Sequence, residues 1–436
     1  MRKQERPHRT RRSPRSLHLE VLEDRRLLSY TLTDLGSLGG GSGAGYGIND
    51  AGQVVGYATN SDHLGRATLW DGGVAFDLGT LGGPESVANS INSRGQVVGF
   101  SDNGEVPERA FLWQDGVMSD LGSLGGRDSI AFHINNAGQV VGVSDTRPGM
   151  AGGAFLWDGG VMTDLGTLGG FGAGAFGIND AGQVVGGSLL PNNINEHAFL
   201  WHDGVMTELG TLPGDPDSEA AAINNAGQIV GASGVIEDEI STRAAIWQDG
   251  TWNAIGPLDS YATAINDAGQ VVGFMPSSGG PTRDHAFIYS DGELTDLNDL
   301  IPPGSGLTLS SASAINNAGQ IVGTAYSGGA VPHAFLLTPD SGGAPRGADR
   351  GVFRLLVPAR EATPIGEAMN QPPEGVLPTE APLATAAPLP ADAVLARATD
   401  AVFAHNHRAP TTALDGAGEV EGLDSGQSVI PQLFSF

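Results

Sequence analysis

The sequence predicts an all-β fold, a seven-bladed β-propeller of four-stranded blades, from three observations. First, the segment INDAGQVVG at residues 48–56 has six close copies, which begin at Ile91, Ile134, Ile178, Ile223, Ile265 and Ile315, at intervals of 42 to 50 residues. Second, each interval holds four short apolar runs separated by clusters of Gly, Asn and Asp, and such clusters mark turns between strands. Third, the last unit lacks its fourth run, whereas a separate copy of that run precedes the first unit. Units of about this length with four strands are typical of propeller blades.

The fourth unit shows how each strand is assigned. We expect strand one at residues 175–178, strand two at 183–186, strand three at 198–201 and strand four at 205–209. The connection between strands one and two ends in Gly182, and that between strands three and four ends in Gly204. Glycine supplies the positive φ that a tight hairpin needs. Consecutive strands of the blade run in opposite directions, so both short connections lie at the same end of the blade. We call this face of the disc the hairpin face.

The chain ends predict how the ring closes. After residues 333–337 the sequence becomes rich in Pro, Gly and Ala, so blade seven has no fourth strand of its own. Residues 30–40 match the fourth strand and following turn at residues 161–170 almost position for position. Pairing the N-terminal strand with blade seven would remove two exposed sheet edges. The sequence therefore predicts a closed ring whose last blade is completed by the N-terminal strand.

Charge and composition divide the chain into three parts. Residues 1–29 carry nine Arg or Lys and four acidic residues, whereas residues 30–340 carry seven Arg, no Lys and 34 acidic residues. Residues 341–436 are rich in Pro, Ala and Gly, and we expect this tail to be largely disordered. So acidic a repeat region would repel phosphate backbones, which argues against nucleic acid as a partner. No cysteine is present, and no apolar run is long enough for a membrane-spanning helix.

The basic N-terminal segment contains a short motif. Residues 22–29, LEDRRLLS, resemble the LEPR-XLL motif found near the N-termini of surface and secreted proteins of planctomycete-type bacteria. Asp24 stands where that motif has Pro. The resemblance implies that residues 1–29 target the protein for export; a basic arm without that role is the alternative.

Two polar residues recur in every copy of the repeat. Asn follows the repeat Ile, and Gln precedes strand two; the positions are Asn49, Gln53, Asn92, Gln96, Asn135, Gln139, Asn179, Gln183, Asn224, Gln228, Asn266, Gln270, Asn316 and Gln320. Asn side chains bond their own turns readily. We therefore assign both residues to the structure of the turn and not to a binding site.

Strand one has small residues around its centre. The residue three before the repeat Ile is always Gly or Ala, and the residue one before it is small in six of the seven units. The exception is His133. If these two positions share one face of the strand, small side chains let seven innermost strands approach the axis. His133 would then face the central channel, and it is the best single candidate for a functional residue.

Strand three ends in an aromatic residue in six units, which predicts packing between blades. Just before strand three the residue is Arg or His in six of the seven units: Arg66, Arg109, Gly153, His197, Arg243, His285 and His333. We expect these Arg and His side chains to bond a neighbouring loop. His-Ala-Phe at residues 197–199, 285–287 and 333–335 makes the units resemble the HAF repeat of bacterial extracellular proteins. That resemblance covers residues 30–340 and implies a location outside the cell or on its surface. Units one, three and five depart from the His-Ala-Phe motif.

The connections between strands two and three, and between blades, differ in length and content from unit to unit. They lie on the face opposite the hairpins, which we call the variable face. Variable loops on a rigid scaffold commonly carry binding residues, and the acidic candidates here are Asp215, Asp217, Glu219, Glu237, Asp238, Glu239 and Asp284.

Three functions fit the sequence. We favour a monomeric, non-catalytic binding scaffold that presents the acidic variable face to a glycan, a protein or a cation. The alternatives are a propeller-type polysaccharide lyase or glycoside hydrolase, which would need paired carboxylates or a His/Arg/Tyr cluster at the channel mouth, and a structural spacer of a surface layer. No cofactor is expected. Calcium stays open as a ligand of the acidic loops, although the turns lack the spaced ligands of an EF-hand.

Overall fold

A computed structural model describes residues 29–106, 108–146, 152–235, 241–277, 284–328 and 331–340. Its strands form seven separate four-stranded antiparallel sheets arranged in a ring, which is the seven-bladed β-propeller that the sequence predicts. The segment with the LEPR-XLL-like motif and the C-terminal tail lie outside the described residues, apart from Ser29. Within the described part, no helix is both long and apolar enough to cross a membrane.

The strands follow the chain blade by blade. Strand β1 is Tyr30–Asp34. Blade one contains β2 (Gly39–Ile48), β3 (Val54–Asn60), β4 (Gly65–Asp71) and β5 (Val74–Asp77). Blade two contains β6 (Ser86–Ile91), β7 (Val97–Ser101), β8 (Arg109–Gln114) and β9 (Val117–Asp120). Blade three contains β10 (Ser129–Ile134), β11 (Val140–Asp145), β12 (Gly152–Asp158) and β13 (Val161–Asp164). Blade four contains β14 (Ala173–Ile178), β15 (Val184–Leu189), β16 (Glu196–His202) and β17 (Val205–Glu208).

The remaining blades continue the same order. Blade five contains β18 (Asp217–Ile223), β19 (Ile229–Gly234), β20 (Arg243–Gln248) and β21 (Thr251–Leu258). Blade six contains β22 (Tyr261–Ile265), β23 (Val271–Pro276), β24 (Asp284–Ser290) and β25 (Glu293–Asp296). A 3₁₀ helix at Leu297–Asp299 lies in the long connection to the last blade. Blade seven contains β26 (Thr308–Ile315), β27 (Ile321–Tyr326) and β28 (Pro332–Pro339).

The N-terminal strand completes blade seven, as predicted. Strand β1 pairs antiparallel with β28 from Tyr30 opposite Pro339 to Asp34 opposite Phe335, so it is the outermost strand of that sheet. Tyr30 is 1% exposed and belongs to the apolar cluster between blades six and seven. Its amide donates a hydrogen bond to the Leu300 carbonyl at 3.0 Å. The chain therefore closes the ring through backbone pairing and through side-chain burial together.

A β-bulge in strand one corrects the expected positions of the small residues. In all seven blades the register shifts between the residue three before the repeat Ile and the residue one before it, as between Ala175 and Gly177. One extra residue lies between them, so the two small residues face opposite sides of the sheet and not the same side. Ala175 packs on the preceding blade, while a Cβ on Gly177 would lie 3.1 Å from the Ala221 carbonyl oxygen of the next blade. Both positions need a small residue because a neighbouring blade lies close to each of them, the preceding blade for Ala175 and the next blade for Gly177.

The core consists of an apolar cluster at every junction between blades. At the junction of blades three and four, Val141 of β11 packs against Ala175 and Val184, and Trp201 covers the cluster. Equivalent clusters lie at the other six junctions, including that between blades seven and one. The aromatic residue at the end of strand three therefore packs blade against blade, as the sequence predicts.

The repeat Asn residues form a closed ring of hydrogen bonds. Each Asn accepts two backbone N–H groups of its own turn, as Asn49 Oδ1 does from Ala51 and Gln53. Each Nδ2 also donates to the backbone carbonyl of the Asn in the next blade at 3.0–3.1 Å, and Asn316 donates to Asn49 to complete the circle. The same Nδ2 donates to the repeat Gln of its own blade. The sequence anticipated the bonds within the turn but not those between blades.

Changing a ring Asn tests this role. In Asn179→Asp the backbone acceptor function remains, but the two Nδ2 donations, to Gln183 Oε1 at 2.8 Å and to the Asn224 carbonyl at 3.1 Å, are lost. A carboxylate then faces two acceptors in a buried position, so we expect the free energy of unfolding to fall by about 2 kcal/mol. Urea unfolding of the full chain measures this. The exposed Asn253→Asp is the matched control, and an equal loss in both variants would contradict the role of the ring.

The Arg or His side chain before strand three joins strands three and four to the next blade. It contacts the carboxylate that ends strand four in blades one, two, four, six and seven, through the pairs Arg66–Asp77, Arg109–Asp120, His197–Glu208, His285–Asp296 and His333–Asp34. Arg109 Nη1 also donates to the Arg127 carbonyl at the entrance of the next blade. Arg66 and His197 make the equivalent contact. These contacts match the structural role expected for this position.

Candidate functional site

The predicted site residues do not come together in one place. Glu237, Asp238 and Glu239 lie outside the described residues. Asp284 is exposed at the start of β24. Asp215 lies in the connection to blade five, where its Oδ2 accepts a hydrogen bond from Ser233 Oγ at 3.0 Å. His133 lines the central channel, far along strand one from these loops.

The central channel is a cavity of about 320 Å³ on the ring axis. Strand one of every blade lines it, from the residue two before the repeat Ile to the residue after the repeat Asn. The bulge turns both residues before the Ile toward this region. The first of them differs between blades: Tyr46, Asn89, Phe132, Phe176, Ala221, Thr263 and Ser313. Three aromatic rings therefore lie on the side of blades one to four, interrupted by Asn89 of blade two, and small or polar residues lie on the side of blades five to seven.

His133 lies in the wall of this channel next to blade four. Its Nδ1 is buried without a hydrogen-bond partner. Burial lowers the pKa of His133 to about 4, against the opposing effects of the Asp180 carboxylate and the Ile178 backbone. The imidazole is therefore neutral at neutral pH and does not add a positive charge to the channel.

A second polar ring surrounds the mouth of the channel on the hairpin face. The residues after the repeat Asn are Asp50, Ser93, Asn136, Asp180, Asn225, Asp267 and Asn317, and all are exposed. Their side chains bond the neighbouring turns: the Asn136 amide donates to Asp180 Oδ1 at 2.9 Å, and Asn136 Nδ2 donates to Asp180 Oδ2 at 3.0 Å. Asn317 contacts Asp50 in the same way across the closure of the ring. Three carboxylates thus stand at this mouth.

Toward the variable face, the layer next to the channel changes character around the ring. In blades one to three it is apolar, with cross-strand pairs such as Ala44 with Tyr57 and Val87 with Phe100. In blade four the equivalent pair is Gly174 with Gly187. A Cβ on Gly187 would overlap Glu196 Oε1, so the Glu196 side chain occupies the space that larger residues fill in the first blades.

Two buried carboxyl groups meet at the junction of blades four, five and six. Glu196 of β16 is 3% exposed, and Glu219 of β18 is 2% exposed. The Tyr261 hydroxyl of β22 donates a hydrogen bond to Glu219 Oε1. Burial raises the pKa of Glu219 to about 7, opposed by this hydrogen bond. Burial, and then the neighbouring Glu219 and Asp217, raises the pKa of Glu196 well above its usual value. Around neutral pH this pair therefore holds protons that exposed carboxylates would have lost.

The structure corrects the predicted position of Asp217 and Glu219. The sequence predicts both residues on a variable loop, but both lie in strand β18 and are buried. Asp217 Oδ1 accepts hydrogen bonds from the Glu196 amide at 3.2 Å and from Asn195 Nδ2 at 3.0 Å. The preceding Pro-Asp run made the segment look like a loop, although the strand begins at Asp217. Both side chains therefore belong to the protein interior and not to the surface of a loop.

Sequence reasoning missed Glu196 and Tyr261, yet a signal was present. The residue four before the repeat Ile is Ala44, Val87, Ile130 and Gly174 in blades one to four, but Glu219 in blade five and Tyr261 in blade six. The same position is Ser311 in blade seven, so comparing the units shows that its apolar character ends after blade four. Glu196 is less easily recognised from the sequence, because the acidic residues Glu108 and Asp284 stand at equivalent positions in other units.

The chemistry available to these groups is limited by burial. Among the described residues, no group of three or more His, Asp and Glu side chains is placed to hold a metal ion. Glu196 and Glu219 form the paired carboxyls that a hydrolase would need, but almost none of their surface meets solvent. They titrate inside the protein, whereas the channel residues are open to small molecules.

Residues 246–332 match a family described as protein of unknown function (DUF3466), which covers less than half of the chain. A search of curated proteins finds no match.

Several solved structures are similar in part. TolB from Acinetobacter baumannii shares 12% identity at a TM-score of 0.38, and the alignment covers 66% of this chain and 64% of TolB. XC5397 from Xanthomonas campestris, a gluconolactonase, shares 11% identity at a TM-score of 0.37, over 71% of this chain and 90% of that one. A puromycin-hydrolyzing peptidase from Mycobacterium tuberculosis shares 13% at a TM-score of 0.47, over 75% and 53%. These likenesses concern the fold alone.

Proposed function

We propose that this protein is a non-catalytic binding scaffold, located outside the cell or on its surface, whose variable face engages a partner. One observation carries the proposal: the polar residues that recur in every blade bond one another within the ring, so the ring is a rigid support. The connections on the variable face differ in length and content from blade to blade. Variable residues on a rigid support are the usual arrangement of a binding surface.

Charge indicates the class of partner. Residues 30–340 carry 34 acidic residues and seven arginines, and two of those arginines, Arg66 and Arg109, are paired with carboxylates. Exposed acidic groups on the variable face include Asp62, Glu105 and Asp284. Such a surface repels acidic polymers and attracts basic ones. The partner we propose is therefore a neutral or basic glycan or a basic protein.

The enzymatic alternative has less support. A polysaccharide lyase or glycoside hydrolase must bring its carboxyl groups to the substrate. The paired carboxyls described above, Glu196 and Glu219, are almost fully buried. A spacer role in a surface layer would leave the differences between the loops without a purpose.

The test uses the full chain and two immobilised polysaccharides, chitosan and cellulose. We expect saturable retention on at least one of them, weakened by salt if charge contributes, and no release of reducing ends or unsaturated products. Asp62→Asn, Glu105→Gln and Asp284→Asn together should weaken retention on chitosan. The matched control is Asp115→Asn, Asp203→Asn and Asp291→Asn, three exposed residues of the hairpin face at positive φ, which Asn also adopts.

Two results would overturn the proposal. Equal loss of retention in both triple variants would show that binding is a property of net charge and not of the variable face. Product formation from either polysaccharide would favour the enzymatic alternative.

A further inference from the structure

The central channel has features that a propeller of this kind does not need for its stability. The residue two before the repeat Ile is aromatic in blades one, three and four, but it is Asn89, Ala221, Thr263 and Ser313 in the others. Four blades therefore close against the channel without a large side chain at this position. Tyr46, Phe132 and Phe176 extend an apolar layer into the channel, where part of each side chain stays exposed.

The three aromatic residues lie on one side of the cavity, with Asn89 of blade two between Tyr46 and Phe132; we call this side the aromatic wall. Each is partly exposed to it, and the Phe132 and Phe176 rings meet edge to face, with centroids 5.5 Å apart at 68°. All three pack on the apolar layer of blades one to three, which fixes their positions. Aromatic rings that border a cavity attract cations by the negative potential of their faces.

The charges around the same cavity have one sign. Asp50, Asp180 and Asp267 stand in the ring at its mouth, and no Arg or Lys is among the described residues that line it. His133 is the lining residue able to become cationic, and burial keeps it neutral near pH 7. Clefts lined by one sign of charge concentrate ligands of the opposite sign. An anionic ligand is therefore disfavoured at this mouth.

The ligand class follows from these two properties. A metal ion would need several converging ligands, and no such group exists among the described residues. Neutral sugars would donate hydrogen bonds to the carboxylates but gain no attraction from their charge. A cavity of about 320 Å³ lies at the small end of the range for small-molecule sites. We propose that the central channel binds a small organic ammonium ion, with carboxylates at the mouth and the aromatic wall within. This site is independent of the proposed partner surface, because it opens on the hairpin face.

The test is calorimetric titration of the full chain with choline and with 3,3-dimethylbutan-1-ol, its neutral isostere. We expect saturable binding of choline and at least about ten-fold weaker binding of the isostere, as cation–π and charge attraction both require the ammonium group. Phe132→Leu should weaken choline binding by about ten-fold. Phe76→Leu, an exposed aromatic of the outer strand β5, is the matched control and should leave it unchanged.

A second variant guards against a folding defect. Asp180→Asn removes one mouth carboxylate, and Asn stands at the equivalent place in blades three, five and seven, so the ring accommodates it. The variant loses the acceptor for the exposed side-chain donors of Asn136 and Asn225, so we expect a slightly lower urea midpoint. The chain should stay folded without denaturant and bind choline several-fold more weakly. No heat with choline, equal binding of the isostere, or unchanged affinity in both variants would overturn the proposal.

Discussion

Deleting residues 1–34 should sharply lower the stability of the ring. Blade seven would lose its outer strand β1, and with it the buried Tyr30 ring and the contact between Asp34 and His333. Truncating one buried aromatic side chain costs about 3–5 kcal/mol, and here the backbone pairing with β28 disappears as well. We expect the midpoint of urea unfolding to fall by more than in any single substitution described above.

Two companions make that deletion informative. Deleting residues 1–28 removes the basic segment but retains Ser29, whose hydroxyl bonds Asp340, and we expect it to keep the parent midpoint. A synthetic peptide of residues 29–40, added to the longer deletion, should restore stability in a concentration-dependent way. If the longer deletion unfolds at the parent midpoint, then β1 does not close the ring in solution.

Raising the pH through the neutral range should destabilise the protein by way of Glu219 and Glu196. In the folded chain Glu219 keeps its proton up to about pH 7, whereas its unperturbed pKa is 4.5. Between these values the folded chain holds more protons than the unfolded chain, so the stability that protonation confers is lost as the pH rises. A shift of this size corresponds to about 3 kcal/mol, and the raised pKa of Glu196 extends the loss to higher pH.

Glu219→Gln isolates this effect. The amide oxygen keeps an acceptor for the Tyr261 hydroxyl, and the side chain no longer ionises. Urea unfolding between about pH 5 and about pH 8 should show a smaller decline for this variant than for the parent chain, with a net gain in stability at the alkaline end. Glu293→Gln, on the outer strand β25 and exposed, should follow the parent. Parallel curves for Glu219→Gln and the parent would show that Glu219 is not the responsible group.

Sequence comparison among the seven units predicted the fold because the units are seven different sequences that form the same blade. The Gly at the end of each hairpin and the N-terminal copy of strand four were enough for topology and closure. The bond from Asn179 Nδ2 to the Asn224 carbonyl could not be predicted, because it joins turns 45 residues apart that only the ring brings together. The bulge at Phe176 is likewise invisible in a pattern that assumes regular alternation.

The candidate sites were predicted less well than the fold. His133 was identified because it alone breaks the rule of small residues, and the channel is where the structure places it. Glu219 was noticed for its charge but assigned to a loop. The aromatic wall was missed, since Tyr46, Phe132 and Phe176 occupy the bulge position, whose direction depends on a backbone irregularity. Sequence shows which residues deviate, while the direction of a side chain depends on the backbone around it.

The Asn side chains of the ring link neighbouring blades head to tail. The Nδ2 of each blade meets the carbonyl of the following one, and blade seven meets blade one through Asn316 and Asn49 in the same sense. Head-to-tail contacts between identical protein subunits close into cyclic assemblies when the rotation per subunit divides the circle. Here that rotation is about 51° per blade. The molecule is thus equivalent to a cyclic heptamer whose subunits are joined by peptide bonds, and the angle at one interface determines how many copies the chain must contain.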